Sequence, residues 1–159
     1  MITFSKPGVR DGNDYVYPGD PALDTDVEHW EDELEAALES GDWNRLPLKA
    51  NEKVTVFRLR APDDELKRIV QGYGEMVARH KLGANTAWRR IAELMLVSMR
   101  DAGGGAFGVE HEFETVLSQE HGYKVIRKEE MEKLANVDEG GLIDGLGLYA
   151  MLHLNPSKN

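Results

Sequence analysis

The order of apolar and polar residues along the chain predicts a mixture of helices and strands. Apolar residues recur at the three- and four-residue spacing of one helix face in four stretches, and a shorter helix lies between the last two. The predicted helices run from Asp24 or Asp26 to Gly41, from Pro62 to about residue 81, from Asn85 or Thr86 to Arg100, from Lys128 to Leu134 and over about 139–153.

Strand patterns occupy three short stretches. Residues 54–60 are β-branched and aromatic, and the apolar Phe57 and Leu59 alternate with arginines. Residues 113–117 and 123–127 flank a connection that contains Gly122, which predicts a β-hairpin. We expect the strand at 54–60 to pair with this hairpin. The predicted fold class is α+β, mostly helical, with a small antiparallel sheet of about three strands.

The first 24 residues follow neither period. Pro-Gly, Asp-Gly and Asp-Pro pairs interrupt this stretch every few positions. Phe4, Tyr15 and Tyr17 favour docking over disorder, because disordered tails are usually poor in aromatic residues. We therefore expect an extended N-terminal arm over residues 1–24, which becomes ordered against a partner, and a single α+β domain over residues 25–159.

Composition excludes several classes of protein. The 159 residues contain no cysteine, which rules out disulfides, thiol catalysis and cysteine-ligated metal sites. No apolar run approaches the roughly 18 residues that span a bilayer, so we expect no membrane partner. The first seven residues lack the apolar stretch of a secretory signal. Synthesis in the cytoplasm fits these observations.

The net charge of −10 is unevenly distributed. Residues 1–45 carry 3 basic and 12 acidic side chains, residues 46–100 carry 11 and 6, and residues 101–159 carry 5 and 11. The acidic and basic blocks can attract each other within a chain or between copies, although two solvated faces of one domain are the plainer interpretation. The overall negative charge argues against nucleic acid as a partner, because phosphate binding needs clustered Lys and Arg.

No motif predicts catalysis, a metal or a cofactor. The glycine run at 103–105 follows a predicted helix, whereas phosphate-binding glycine loops precede one. His111, Glu112, Glu114 and His121 lack the spacing of a zinc site. The many carboxylates are typical of a solvated helix face, and no serine nucleophile motif occurs. We expect a protein that is not an enzyme and has no cofactor.

Four features in combination resemble a known group of proteins. They are Leu46-Pro47-Leu48-Lys49, the segment 54–60, a long helical stretch, and an amphipathic helix ending near Leu154-Asn155-Pro156-Ser157. Over about residues 30–155 the chain resembles small proteins encoded in the structural gene modules of tailed bacteriophages and prophages. The resemblance implies a virion component or a head- or tail-assembly factor, and it brings no catalytic residue with it.

We therefore expect a non-enzymatic phage structural protein, made in the host cytoplasm and located in the virion, which binds other virion proteins and copies of itself. The alternatives are a tail-assembly chaperone absent from the mature particle, a small enzyme or ligand-binding domain, and a nucleic-acid-binding adaptor. The candidate interface residues are Phe4, Tyr15, Tyr17, Trp43, Arg58, Arg60, Arg89, Arg90, Leu146 and Tyr149.

Overall fold

The chain contains both helices and strands in a computed structural model, which describes residues 13–103 and 106–153. This confirms the predicted α+β fold class. The helices in these ranges are α1 (Trp30–Ser40), α2 (Asp64–Ala78), α3 (Ala84–Met95), α4 (Lys128–Ala135) and α5 (Gly141–Leu152), with 3₁₀ turns at Trp43–Arg45 and Val137–Gly140. The strands are β1 (Asn13–Val16), β2 (Val54–Leu59), β3 (Leu96–Gly103), β4 (Ala106–Phe107), β5 (His111–Glu112), β6 (Thr115–Leu117) and β7 (Lys124–Ile126).

The strands form two sheets. The larger has the order β1-β2-β3-β4, and β5 also pairs with β3. Strand β3 is antiparallel to both β4 and β5, with Ala102 opposite Phe107 and Met99 opposite His111. The smaller sheet is the antiparallel hairpin β6-β7, with Val116 opposite Val125, which confirms the predicted hairpin. The expected pairing of β2 with this hairpin is wrong, because both neighbours of β2 belong to the larger sheet.

The chain folds into two compact units, which we describe separately. The first unit comprises Met1–Arg58 and Ser98–Glu112, and the second comprises Leu59–Val97 and Phe113–Asn159.

The core of the first unit includes the second half of the predicted arm. Residues 1–12 lie outside the described ranges, whereas Tyr15, Val16, Ala22 and Leu23 are buried. Leu23 also forms an antiparallel bridge with Leu48. The expectation of a separate arm over residues 1–24 therefore needs correction for residues 13–24, because this stretch supplies an ordered strand and part of the core. The other buried members of this core are Leu34, Ala37, Trp43, Leu46, Val54, Val56 and Ala102.

An ionic cluster, which has a buried pair at its centre and half-buried partners on either side, lies within the first unit. Asp14 Oδ2 is 3.2 Å from Arg100 Nη2, and both side chains are only 5% exposed. Arg58 Nε lies 3.8 Å from Asp14 Oδ1, and Arg100 Nη1 lies 3.8 Å from Glu110 Oε1. The hydroxyl of Ser98 donates to Glu110 at 2.8 Å. Since two cations face two carboxylates, the charges balance inside the unit.

Helix α1 begins later than the sequence predicts. The Asp24 side chain accepts a hydrogen bond from the N–H of Asp26, which forms a local turn and caps no helix. His29 then has a φ of 62°, in the left-handed region, and the helix starts at Trp30. The predicted end at Gly41 is confirmed, because Gly41 has a φ of 73° and donates to the carbonyl of Ala37.

The second unit is built on close packing of α3 against α5. A Cβ atom added to Gly147 would lie 2.1 Å from the carbonyl oxygen of Trp88. At this point the two helix backbones touch, and only glycine fits. The buried side chains of this unit include Leu66, Val70, Ile91, Leu94, Met95, Met131, Leu142, Ile143 and Leu146.

The predicted helix over 85–100 ends at Met95, which corrects the sequence interpretation. From Leu96 onward burial alternates, with Leu96, Ser98, Arg100 and Ala102 buried. Two of these inward positions are polar, so the sequence lacks the apolar alternation of a strand. Asp14 and Glu110 supply the partners that allow Arg100 and Ser98 to be buried.

Candidate protein-interaction surface

The structure separates the predicted interface residues into accessible and buried groups. Tyr15, Trp43 and Leu146 are 4%, 8% and 0% exposed. Their apolar character serves the chain's own core, so they are withdrawn from the candidate interface. Phe4 lies outside the described residues. Tyr17 is half-buried, with its ring beside Gly19, where an added Cβ would lie 2.6 Å from Tyr17 Cε2.

The four predicted interface arginines all have partners within their own unit. In the first unit, Arg58 belongs to the ionic cluster. In the second unit, Arg89 Nε lies 3.8 Å from Glu93 Oε1, and Arg90 Nη1 lies 3.1 Å from a Glu120 oxygen. The guanidinium of Arg60 donates to the carbonyl of Lys124 at 3.0 Å, and burial lowers the pKa of Arg60. These contacts partly neutralise the basic surface that the sequence predicts.

The outward face of α5 carries exposed apolar side chains. Leu148 is 38% exposed and Leu152 is 66% exposed, and their four-residue spacing places them in line on the helix. Leu142, Leu146, Gly147 and Ala150 are buried on the opposite face. We call Leu148 and Leu152 the α5 ridge. Beside the ridge, the rings of Tyr149 and His153 stack with centroids 4.0 Å apart, and Tyr149 is half-buried.

The sequence analysis missed the α5 ridge, although a signal for it was present. The apolar stripe that predicts the helix over 139–153 consists of Leu142, Ile143, Leu146, Tyr149 and Ala150. A helical wheel places Leu148 and Leu152 on the other side of the helix from that stripe. A helix that is apolar on all sides must bury its second face against something else or leave it exposed.

The hairpin is a second region of exposed apolar side chains. Val116 is 48% exposed and Leu117 is 66% exposed, and Thr115 is also exposed. Strand β7 is more buried, and Ile126 is 3% exposed. The hairpin therefore presents β6 to solvent.

Titratable side chains converge where the hairpin connection meets α2 and α3. The Tyr73 hydroxyl and His121 Nε2 form a hydrogen bond of 2.7 Å, and Glu120 is paired with Arg90. Burial raises the pKa of Tyr73 and also that of Glu93, because it disfavours their charged forms. This cluster fastens the hairpin connection to both helices.

A polar cleft of about 310 Å³ opens between the first turns of α3 and α5. Asn85, Thr86 and Arg89 line one side, and Glu139, Gly140 and Asp144 line the other. Its charges are mixed, so it offers no uniform field to an anion or a cation.

Residues 13–103 and 106–153 contain neither a metal-binding cluster nor a membrane-spanning helix. No group of three or more His, Cys, Asp or Glu side chains there could hold a metal ion. Among the helices in those ranges, none is both long enough and apolar enough to cross a bilayer.

Comparison with known protein families, with curated proteins and with solved structures found no significant match to this chain.

Proposed function

We propose that this chain is a non-enzymatic structural protein of a tailed bacteriophage, and that it binds another virion protein through the α5 ridge. The phage assignment rests on the sequence resemblance at residues 46–60 and in the C-terminal helix. The observation that supports protein binding is the exposure of Leu148 and Leu152 on a helix whose opposite face is buried.

The ridge favours binding because burial of exposed leucine side chains is energetically favourable. Complete burial of a leucine side chain stabilises a complex by about 1.5–3 kcal/mol relative to leaving it exposed. Leu152 is 66% exposed and Leu148 is 38% exposed, and a partner can bury this remaining surface.

The ridge is also held in a fixed position. The contact of Gly147 with the Trp88 backbone fixes α5 against α3, and Leu142, Leu146 and Ala150 pack on the inner side. A surface on a rigid helix loses little conformational entropy on binding, so more of the burial energy appears as affinity.

The test is particle incorporation of a ridge variant. A phage in which the gene for this chain is disrupted is complemented with one of three versions of the chain. These are the wild type, L148E/L152E and the control Met76→Glu. Met76 is 39% exposed on α2, so this control replaces a comparably exposed apolar side chain away from the ridge. We expect the wild type and M76E in particles, and L148E/L152E in the soluble fraction with an unchanged melting temperature.

Incorporation of folded L148E/L152E at the wild-type level would contradict the proposal. Loss of M76E as well as L148E/L152E would show that any exposed charge disrupts assembly, which would also remove support for the ridge.

The polar cleft between α3 and α5 is the candidate site for the alternative function, which is the binding of a small ligand. A thermal-shift screen with metal ions, nucleotides and sugars tests it, because a ligand that binds the folded state raises the melting temperature. A shift that is abolished by Thr86→Val would place that ligand in the cleft.

A further inference from the structure

We propose that the outer edge of β6 accepts the N-terminal segment 1–12 of a second copy of the chain as an added strand. We call the outward-facing backbone of Thr115 and Leu117 the hairpin edge. This surface is separate from the α5 ridge, so the inference can fail while the proposed function holds.

The hydrogen bonds of the hairpin define which backbone groups form this edge. The N–H of Ser118 donates to the carbonyl of Tyr123, and the N–H of Arg127 donates to the carbonyl of Glu114. In an antiparallel pair, bonded positions alternate with non-bonded ones. The intervening bonded position is therefore Val116, and the N–H and C=O groups of Thr115 and Leu117 point away from β7.

The hairpin edge is only three residues long, which limits strand addition, but within the described residues it lacks the other protective features. Edge strands are commonly protected by short length, lysine, proline, a bulge or a covering element. Strand β6 reads Thr-Val-Leu and all three residues are exposed. Its only strand partner among the described residues is β7. An extended segment can therefore bond to the edge and cover Leu117 without displacing a neighbour.

Only residues 2–5 of the segment 1–12 alternate in the way that fits this short edge. Ile2 and Phe4 alternate there with Thr3 and Ser5, before Pro7-Gly8 interrupts the pattern. The segment carries Lys6 and Arg10 and a single acidic residue, Asp11, in a chain whose net charge is −10. It can therefore approach a second, acidic copy without the repulsion that most of the surface would cause.

The reach of the segment is sufficient for a neighbouring copy. The twelve residues of the segment 1–12 join strand β1 of the first unit's sheet at Asn13. Fully extended, they span roughly 40 Å. When each copy donates its segment to the next, the contact is head-to-tail. Such contacts build closed rings or open filaments, depending on the rotation between neighbouring copies.

The first test is disulfide trapping between two full-length chains. Because the chain has no cysteine, Ile2→Cys, on the same strand face as Phe4, in one copy and Leu117→Cys in a size-tagged second copy can form only one mixed disulfide. The matched control partner carries Val109→Cys, since Val109 is 95% exposed and lies outside β6. We expect the mixed disulfide with L117C to form at least about tenfold faster than that with V109C. Equal rates would overturn the proposal.

The second test measures self-association of the full chain by sedimentation velocity. Leu117→Lys places a protective charge on the edge, and Phe4→Asp removes the apolar anchor of the donated segment. We expect each to weaken self-association by roughly tenfold or more, equivalent to about 1.4 kcal/mol, while V109K leaves it unchanged. If L117K weakens association but F4D does not, the edge binds another surface and the assigned occupant is wrong. A wild-type chain that stays monomeric at high concentration would also overturn the proposal.

Discussion

At Gly147, one added methyl group would clash with the backbone of α3. An alanine Cβ there would lie 2.1 Å from the carbonyl oxygen and 2.6 Å from the carbonyl carbon of Trp88, which are backbone atoms that cannot rotate away. We expect Gly147→Ala to lower the free energy of unfolding by about 3 kcal/mol or more, because α5 must move off α3.

The matched control for Gly147 is Gly72, which is also inside a helix but has nothing within 4 Å of an added Cβ. Gly72→Ala should raise the free energy of unfolding by about 1 kcal/mol, since alanine favours the helix. Urea unfolding of both variants measures the contrast. Equal effects at the two positions would contradict the close helix contact.

A second prediction at the residue scale concerns the buried pair Asp14 and Arg100. Asp14→Ala leaves the Arg100 guanidinium buried without its 3.2 Å partner, so we expect a loss of about 3–5 kcal/mol. The double variant D14L/R100M removes both charges and should recover most of that loss. Chemical denaturation of D14L, R100M and D14L/R100M gives the coupling, and additive losses would show that the pair is not coupled.

At the scale of elements, the start of α2 links helix stability to pH. The Asp63 carboxylate accepts hydrogen bonds from the N–H of Leu66 at 2.8 Å and from the hydroxyl of Tyr123 at 2.7 Å, and these bonds lower the pKa of Asp63. A lowered pKa in the folded state means that the carboxylate stabilises the fold above its unfolded pKa of about 4. That contribution disappears as the pH falls through the folded-state pKa.

We therefore expect the stability difference between the wild type and Asp63→Asn to be present at pH 7 and to shrink as the pH falls below about 4. Tyr123→Phe removes one of the two hydrogen bonds and should reduce the same difference. Urea unfolding across this pH range is the measurement. A difference that stays constant with pH would contradict the role assigned to the Asp63 charge.

The elements also show what the sequence could and could not predict. Helix α2 and the hairpin were predicted because their apolar spacing agrees with a proline at the helix start and a glycine in the hairpin connection, whereas α5 was predicted from apolar spacing alone. Strand β3 was not, because its inward positions Ser98 and Arg100 are polar and depend on Asp14 and Glu110, far away in sequence. The α5 ridge was visible on the helical wheel, whereas the hairpin edge required the hydrogen-bond register.

At the scale of the whole molecule, residues 13–24 form part of the core of the first unit. Removing residues 1–24 would remove Tyr15, Val16, Ala22 and Leu23 from the core, at about 1.5–3 kcal/mol for each large apolar side chain. That loss is comparable with the total stability of a typical domain. We expect a chain lacking 1–24 to fail to fold, and a chain lacking only 1–12 to keep the wild-type melting temperature, as measured by circular dichroism.

A folded chain without residues 1–24 would contradict the placement of β1 in the core. The shorter deletion is consequently the one that can report on binding to other proteins, because it leaves every described residue in place.

The central claim is that this chain is a structural component of a phage particle. The most direct measurement is quantitative mass spectrometry of purified particles, with the copy number taken relative to the major capsid and tail-tube proteins. We predict that the chain is present in a fixed number of copies per particle, in a multiple that fits a ring or shell. Its absence from particles, despite expression during infection, would contradict the claim and identify an assembly chaperone instead.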